Sequence, residues 1–158
     1  MRRTKFSGKP PRLESIFPTY EPPLYFVTCC ILHRRHLLAF EDTQQAFVRY
    51  AQGNVLRDLL VGRYVLMPDH LHFFVQILGE SQLGDFVRLM KQSLAKTFKG
   101  RGERYPYWQP GFFDHVLRSS ESYAVKWEYV QDNPVRAGLV NGVREWPYQG
   151  EIVPIQLS

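Results

Sequence analysis

Two apolar runs, Arg63 to Met67 and His70 to Leu78, are separated only by Pro68-Asp69, a pair suited to a tight turn. Such runs predict a β-hairpin, and the segments around it must supply the partners that bury it. Leu24 to Leu32 is nearly continuous in apolar and β-branched residues, as a central strand covered on both faces would be. Ala46, Phe47, Tyr50, Ala51, Val55 and Leu59 recur at spacings of three and four, which predicts a helix from about Thr43 to Leu60, capped by Asp42 or Thr43. Gly84 to Lys99 reads as a second amphipathic helix. Trp108 to Leu117 reads as a strand interrupted at Gln109-Pro110-Gly111, and Ser119 or Ser120 caps a last helix running to about Asn133, with Pro134 just beyond it. The order β, α, β, β, α, β, α is that of an α+β, ferredoxin-like split βαβ antiparallel sheet, with helices on one face and an additional C-terminal helix.

At 158 residues the chain is expected to form one domain. Residues 1–23 mix Arg2, Arg3, Lys5, Lys9 and Arg12 with prolines and read as a basic surface arm; residues 24–150 carry the domain and 151–158 a tail. Cys29 and Cys30 are adjacent on the first strand and point to opposite faces, so they cannot form an ordinary disulfide with each other. With no apolar run long enough to span a bilayer, the expectation is a reduced, cytoplasmic protein with no membrane partner. Lys and Arg number 20 against 15 Asp and Glu, and 15% of residues are aromatic. Basic residues beside aromatic ones suit single-stranded nucleic acid, which needs phosphate contacts and stacking surfaces, although an aromatic core explains the same composition.

Two clusters carry candidate chemistry. His70 and His72 alternate with Leu71 and Phe73 and so share one face of the third strand, where two imidazoles can converge on one cation. Asp69, at the turn, reads as a cap for backbone amides. Tyr129 and Asn133 are four residues apart, which on a helix stacks them on one side; from local pattern alone, a packed tyrosine and a C-cap asparagine are the simpler explanation. Arg88, Lys91, Lys96, Lys99, Arg101 and Arg104 form the richest basic region and are candidate DNA-phosphate contacts.

YVLMPDHLH at Tyr64 to His72, YWQPGFFDHVLR at Tyr107 to Arg118 and EYVQDNPVRAGLV at Glu128 to Val140 come in order, with Phe26-Val27-Thr28 before and Trp146-Pro147-Tyr148 after them. In these motifs the chain resembles the REP-associated tyrosine transposases of the single-tyrosine HUH endonuclease class, over about residues 24 to 148. The resemblance implies a transposase that forms a 5′-phosphotyrosine intermediate on single-stranded DNA, probing sites flanked by hairpins. It implies Tyr129 as the nucleophile, with Tyr123 on the same helix as its rival, and His70 and His72 as metal ligands, with Asn133 completing the shell. Two imidazoles, an amide and open positions suit Mg²⁺ or Mn²⁺. A monomer and a homodimer both fit. The alternatives are a catalytically retired DNA-binding protein of the same fold and a histidine-nucleophile nucleotide hydrolase; the latter needs a third alternating histidine where Phe74 stands.

Overall fold

The computed structural model describes residues 22–157. The basic arm lies outside the described residues except for Pro22 and Pro23, and the Pro22 carbonyl accepts a hydrogen bond from Gln76 at 2.9 Å. Five antiparallel strands form one sheet: β1 (Leu24–Cys30), β2 (Leu59–Leu66), β3 (His70–Ile77), β4 (Phe113–Leu117) and β5 (Gln149–Glu151), in the spatial order β4-β1-β3-β2-β5. The hairpin of β2 and β3 lies as expected, and β1 inserts beside β3 with Thr28 opposite His72 and Cys30 opposite His70.

Alternation along these strands divides the core in two. Tyr25, Val27, Cys29, Leu71, Phe73 and Val75 face α1 (Glu41–Gly53) and α2 (Leu83–Gly100), which contribute Phe47, Ala51, Phe86, Met90, Leu94 and Phe98. Leu24, Phe26 and Phe74 face the other way, onto α3 (Ser120–Gln131), through Tyr123, Trp127 and Val130. This is the ferredoxin-like arrangement, two helices covering one face, with the additional helix on the opposite one. Burial raises the Cys29 thiol to about 12, which leaves it inert as a nucleophile.

Several boundaries differ from the sequence expectation: β2 starts at Leu59 rather than Arg63, β4 at Phe113 rather than Trp108, and the helices shift as well. The first helix ends at Gly53 rather than Leu60, because the Asn54 side chain donates to the Tyr50 carbonyl and Asp58 turns the chain through a left-handed φ of 61°. Leu59 is buried as the first residue of β2 instead. That helix also begins at Glu41, with Phe40 at its N-cap position; the Asp42 carboxylate accepts from the amide of Thr43, inside the first turn. Finally, Pro134 does not follow the last helix but sits in the first turn of a short helix of its own, α4 (Asn133–Arg136), where its missing N–H costs nothing. After β5, the amides of Ile152 and Val153 donate to Gly62 and Val61, and Ile155 and Leu157 pack against the second core.

The start of α3 is fixed by a reciprocal capping box: Ser119 Oγ accepts from the Ser122 amide at 3.1 Å, and Ser122 Oγ accepts from the Ser119 amide at 3.2 Å. Ser119→Ala is expected to destabilise the protein by about 1 kcal/mol in urea unfolding. An unchanged midpoint would show that packing of Tyr123 and Trp127 holds the helix without the cap.

Candidate active site

The face of the sheet under α3 carries the histidine pair. Their rings meet nearly edge-on, centroids 4.8 Å apart, and His72 stacks on Phe26 at 5.1 Å. Each imidazole is fixed through Nδ1. His70 Nδ1 donates to Asp69 Oδ1 at 2.7 Å, and His72 Nδ1 lies 2.8 Å from the Thr28 hydroxyl. Nε2 therefore remains on each ring as the nitrogen left to bind a ligand, the pattern in which a second group orients a metal-binding histidine. Burial, reinforced by coupling to His70 and by the positive charges of Lys126, Arg136 and Arg34, pushes His72 down to about 3, so its ring is neutral at neutral pH. Burial also lowers His70, against the opposing pull of Asp69. Neutral imidazoles are the form that binds cations.

Asp69 does not cap backbone amides, as its turn position suggests. Its carboxylate receives His70 on one oxygen and Arg34 Nε on the other, at 2.8 Å. Burial pushes its pKa up, but these two hydrogen bonds and the adjacent charges outweigh that and hold it below the usual carboxylate value. Arg34 reaches this position because His33 and Arg34 both adopt left-handed backbone conformations, φ 58° and 56°, uncommon for residues with side chains.

Tyr129, on α3, is 61% exposed. Arg136 lies over its ring at 4.1 Å, donating to the Tyr129 carbonyl as well, and Lys126 lies 5.8 Å from the ring centre. The helical path breaks at Asp132, yet Asn133 still faces the same space, its Oδ1 accepting from Arg136. Tyr129, Asn133, His70 and His72 all line one cavity of about 410 Å³, together with Arg34, Lys126, Thr28 and Gln109. Tyr123, the rival, is buried in the second core with its hydroxyl accepting from the Arg63 amide. His115 lies exposed on β4, apart from this cavity lining.

The basic region singled out from the sequence does not join this cluster. Arg88, Lys91, Lys96 and Lys99 sit on α2, across the sheet from the histidines. Lys91 donates to the Gln109 and Gly111 carbonyls. Arg101 is engaged by Asp42, Thr43 and the Leu37 carbonyl. The Arg104 carbonyl accepts from Arg35. The cations that do reach the cavity are Arg34 and Lys126, with Arg136 beside Tyr129. Lys126 was legible, three residues before Tyr129 on the same helix; Arg34 was not, since nothing in a Leu-His-Arg-Arg stretch announces two left-handed residues.

Among the described residues no group of three or more His, Cys, Asp and Glu side chains is placed to share a cation. A divalent site here would thus rest on His70, His72 and the Asn133 amide, and the two oriented imidazoles fit that role. Asp69→Asn is expected to lower Mn²⁺ affinity about 10- to 100-fold, as loss of an orienting carboxylate does elsewhere. Equal affinity in a Mn²⁺ titration would leave Asp69 as a partner of Arg34 alone.

The family described as "Transposase IS200 like" matches residues 24–133. A REP-associated tyrosine transposase of Escherichia coli K12 is 30% identical over 126 residues, 78% of this chain and 73% of that one. A solved REP-associated tyrosine transposase bound to a REP hairpin superposes with a TM-score of 0.66 at 22% identity, covering 98% of this chain and 94% of that one. A Deinococcus radiodurans structure described as a putative transposase gives 0.50 at 17% identity, over 84% and 97%.

Proposed function

This chain belongs to the IS200-like transposase family and is an HUH single-tyrosine transposase, and we propose that it cuts and rejoins single-stranded DNA beside hairpins with Tyr129 as nucleophile. His70, His72 and Asn133 would hold Mg²⁺ or Mn²⁺. The observation that carries this reading is that an exposed tyrosine, two oriented neutral imidazoles and two cationic side chains, Arg34 and Lys126, line one cavity, with Arg136 resting on the tyrosine ring. The hairpin in the solved relative supports the hairpin landmark.

Tyr129 Oη attacks phosphorus in line. The new bond from oxygen to phosphorus forms as the bond from phosphorus to O3′ breaks; the phenolic proton departs and the 3′-oxygen gains one. The product is a 5′-phosphotyrosine and a free 3′-hydroxyl. Because the link conserves the phosphodiester's energy, a second 3′-hydroxyl can attack it, joining strands and regenerating tyrosine without a nucleotide cofactor. A divalent cation held by His70, His72 and Asn133 would supply charge neutralisation for the scissile phosphate. The chain's own part is to place the nucleophile and to surround the phosphate with positive charge, Arg34 held by Asp69 and Lys126 resting 4.7 Å above Phe26. In-line attack needs open access to a backbone phosphate, which an unpaired strand offers more readily than a duplex.

The test is incubation with labelled hairpin oligonucleotides bearing unpaired flanks, with Mn²⁺ or with chelator, resolved on denaturing gels. A metal-dependent protein adduct and a shortened labelled strand are expected. Salt-sensitive binding without an adduct would instead point to a retired DNA-binding protein, and neither result would be compatible with the proposal.

A further inference from the structure

Around the β4 edge from the catalytic cavity, α2 and residues 105–112 enclose a second cleft of about 550 Å³, lined by Arg88, Gln92, Tyr105, Trp108 and Phe112 among others. We propose that this cleft holds an unpaired nucleobase of the strand whose backbone is cut at Tyr129; the inference rests on the function proposed above.

The chemistry of the lining is that of a stacking site. Tyr105 is 83% exposed, a large aromatic ring that the core does not use, and it meets Tyr107 edge-on at 5.9 Å. Trp108 is anchored: its Nε1 donates to the Lys91 carbonyl at 3.1 Å, and the Lys91 ammonium lies 5.5 Å from the ring centre. Every nucleobase offers a π face to such rings, which is why aromatic clefts with basic rims take single strands with little regard to sequence. Gln92 supplies an exposed amide for a base edge. Arg88 supplies charge for the adjoining phosphate, paired only loosely with Asp85 at 3.7 Å.

Continuity with the catalytic cavity identifies the occupant. The same loop forms the wall of both spaces: Tyr105 to Trp108 line the cleft, whereas Gln109 and Phe113 line the cavity. The wall is pinned to the edge of the fold, since the Leu32 amide donates to the Tyr107 carbonyl at 2.8 Å and the Gln109 amide to the Cys30 carbonyl at 2.9 Å. A strand leaving the cavity over Gln109 therefore meets the aromatic cleft next, and its volume lies in the range of sites that enclose small organic groups. Arg88 and Lys91, remote from the histidines across the sheet, thereby acquire a role on the same strand.

The test compares fluorescence anisotropy of the full chain and Tyr105→Ala on a labelled hairpin oligonucleotide with a short unpaired flank, and on the same oligonucleotide made abasic along that flank. Tyr105→Ala is expected to weaken binding about tenfold, within the range measured for loss of one base stack, while Tyr105→Trp retains it. The abasic flank should weaken the full chain equally and weaken Tyr105→Ala no further. Unchanged affinity in Tyr105→Ala, or two losses that simply add, would overturn the proposal. Adduct formation at Tyr129, followed in parallel, separates the outcomes: adducts with no effect at Tyr105 reject the cleft only, while absence of any adduct in the unaltered chain rejects the function on which it rests.

Discussion

Tyr129→Phe is expected to abolish covalent capture of DNA, with strand cleavage falling at least about a thousandfold, the scale seen when a nucleophile acting as part of a unit is removed. The substitution deletes one oxygen and keeps the ring on which Arg136 rests. With 61% of the residue exposed, the fold has little stake in it, so the melting temperature should stay within a degree or two of the parent. Hairpin binding should persist, because the positive charge that Arg34 and Lys126 bring to the cavity does not depend on the phenol. Adducts that survive in the phenylalanine variant would reassign the nucleophile. Tyr123 could not take the role without α3 first leaving the sheet, since its ring packs on Phe74 and its hydroxyl is committed to β2.

The second large effect is expected at the histidine pair. In the parent, a divalent cation present at about 100 times its dissociation constant should stabilise the fold by about 2.7 kcal/mol, which appears as a rise in melting temperature that chelator reverses. His70→Ala removes one of two imidazoles. Altering only the group that orients a ligand costs about 10- to 100-fold in affinity, so losing the ligand itself should cost at least the upper figure. At the same cation concentration most of the rise should then vanish, and cleavage should fall with it. His70 suits this experiment better than His72, which is 7% exposed and packed between Thr28 and Phe26, where truncation would leave a hole as well as an empty ligand position. A cation-induced rise of equal size in His70→Ala would remove the histidines from the metal site.

How much of this was legible in the sequence depended on whether the signal was local. The hairpin was, because two apolar runs joined by Pro68-Asp69 admit few alternatives, and from it the order of elements followed. The facing of His70 and His72 was legible for the same reason, since strand alternation is a property of consecutive residues. The end of α1 was not: Val55 and Leu59 satisfy a helical period, while the break depends on Asn54 and on Asp58 turning left-handed. Least visible was the face of the sheet each helix would cover. The basic face of α2 is plain in the sequence, but its position across the sheet from the histidines is not, because periodicity along a helix says nothing about which side of the sheet it will join. Arg34 is not legible in the sequence, because its approach to the cavity is made by backbone conformation and by Asp69, 35 positions away.

The alternation along β3 has a consequence for how faithfully the chain must fold. This strand is central, flanked by β1 and β2, and seven of its eight residues are buried. A slip by one residue in its pairing would turn His70 and His72 into the hydrocarbon layer beneath α1 and α2, and would bring Leu71 and Phe73 out under α3. Each misplaced imidazole would lose its Thr28 or Asp69 partner, and unpartnered burial of a polar group costs on the order of 1–3 kcal/mol. The two histidines thus act as keys to the pairing, so that a chain able to settle into its most stable sheet has, by the same choice, assembled the pair in the orientation it needs.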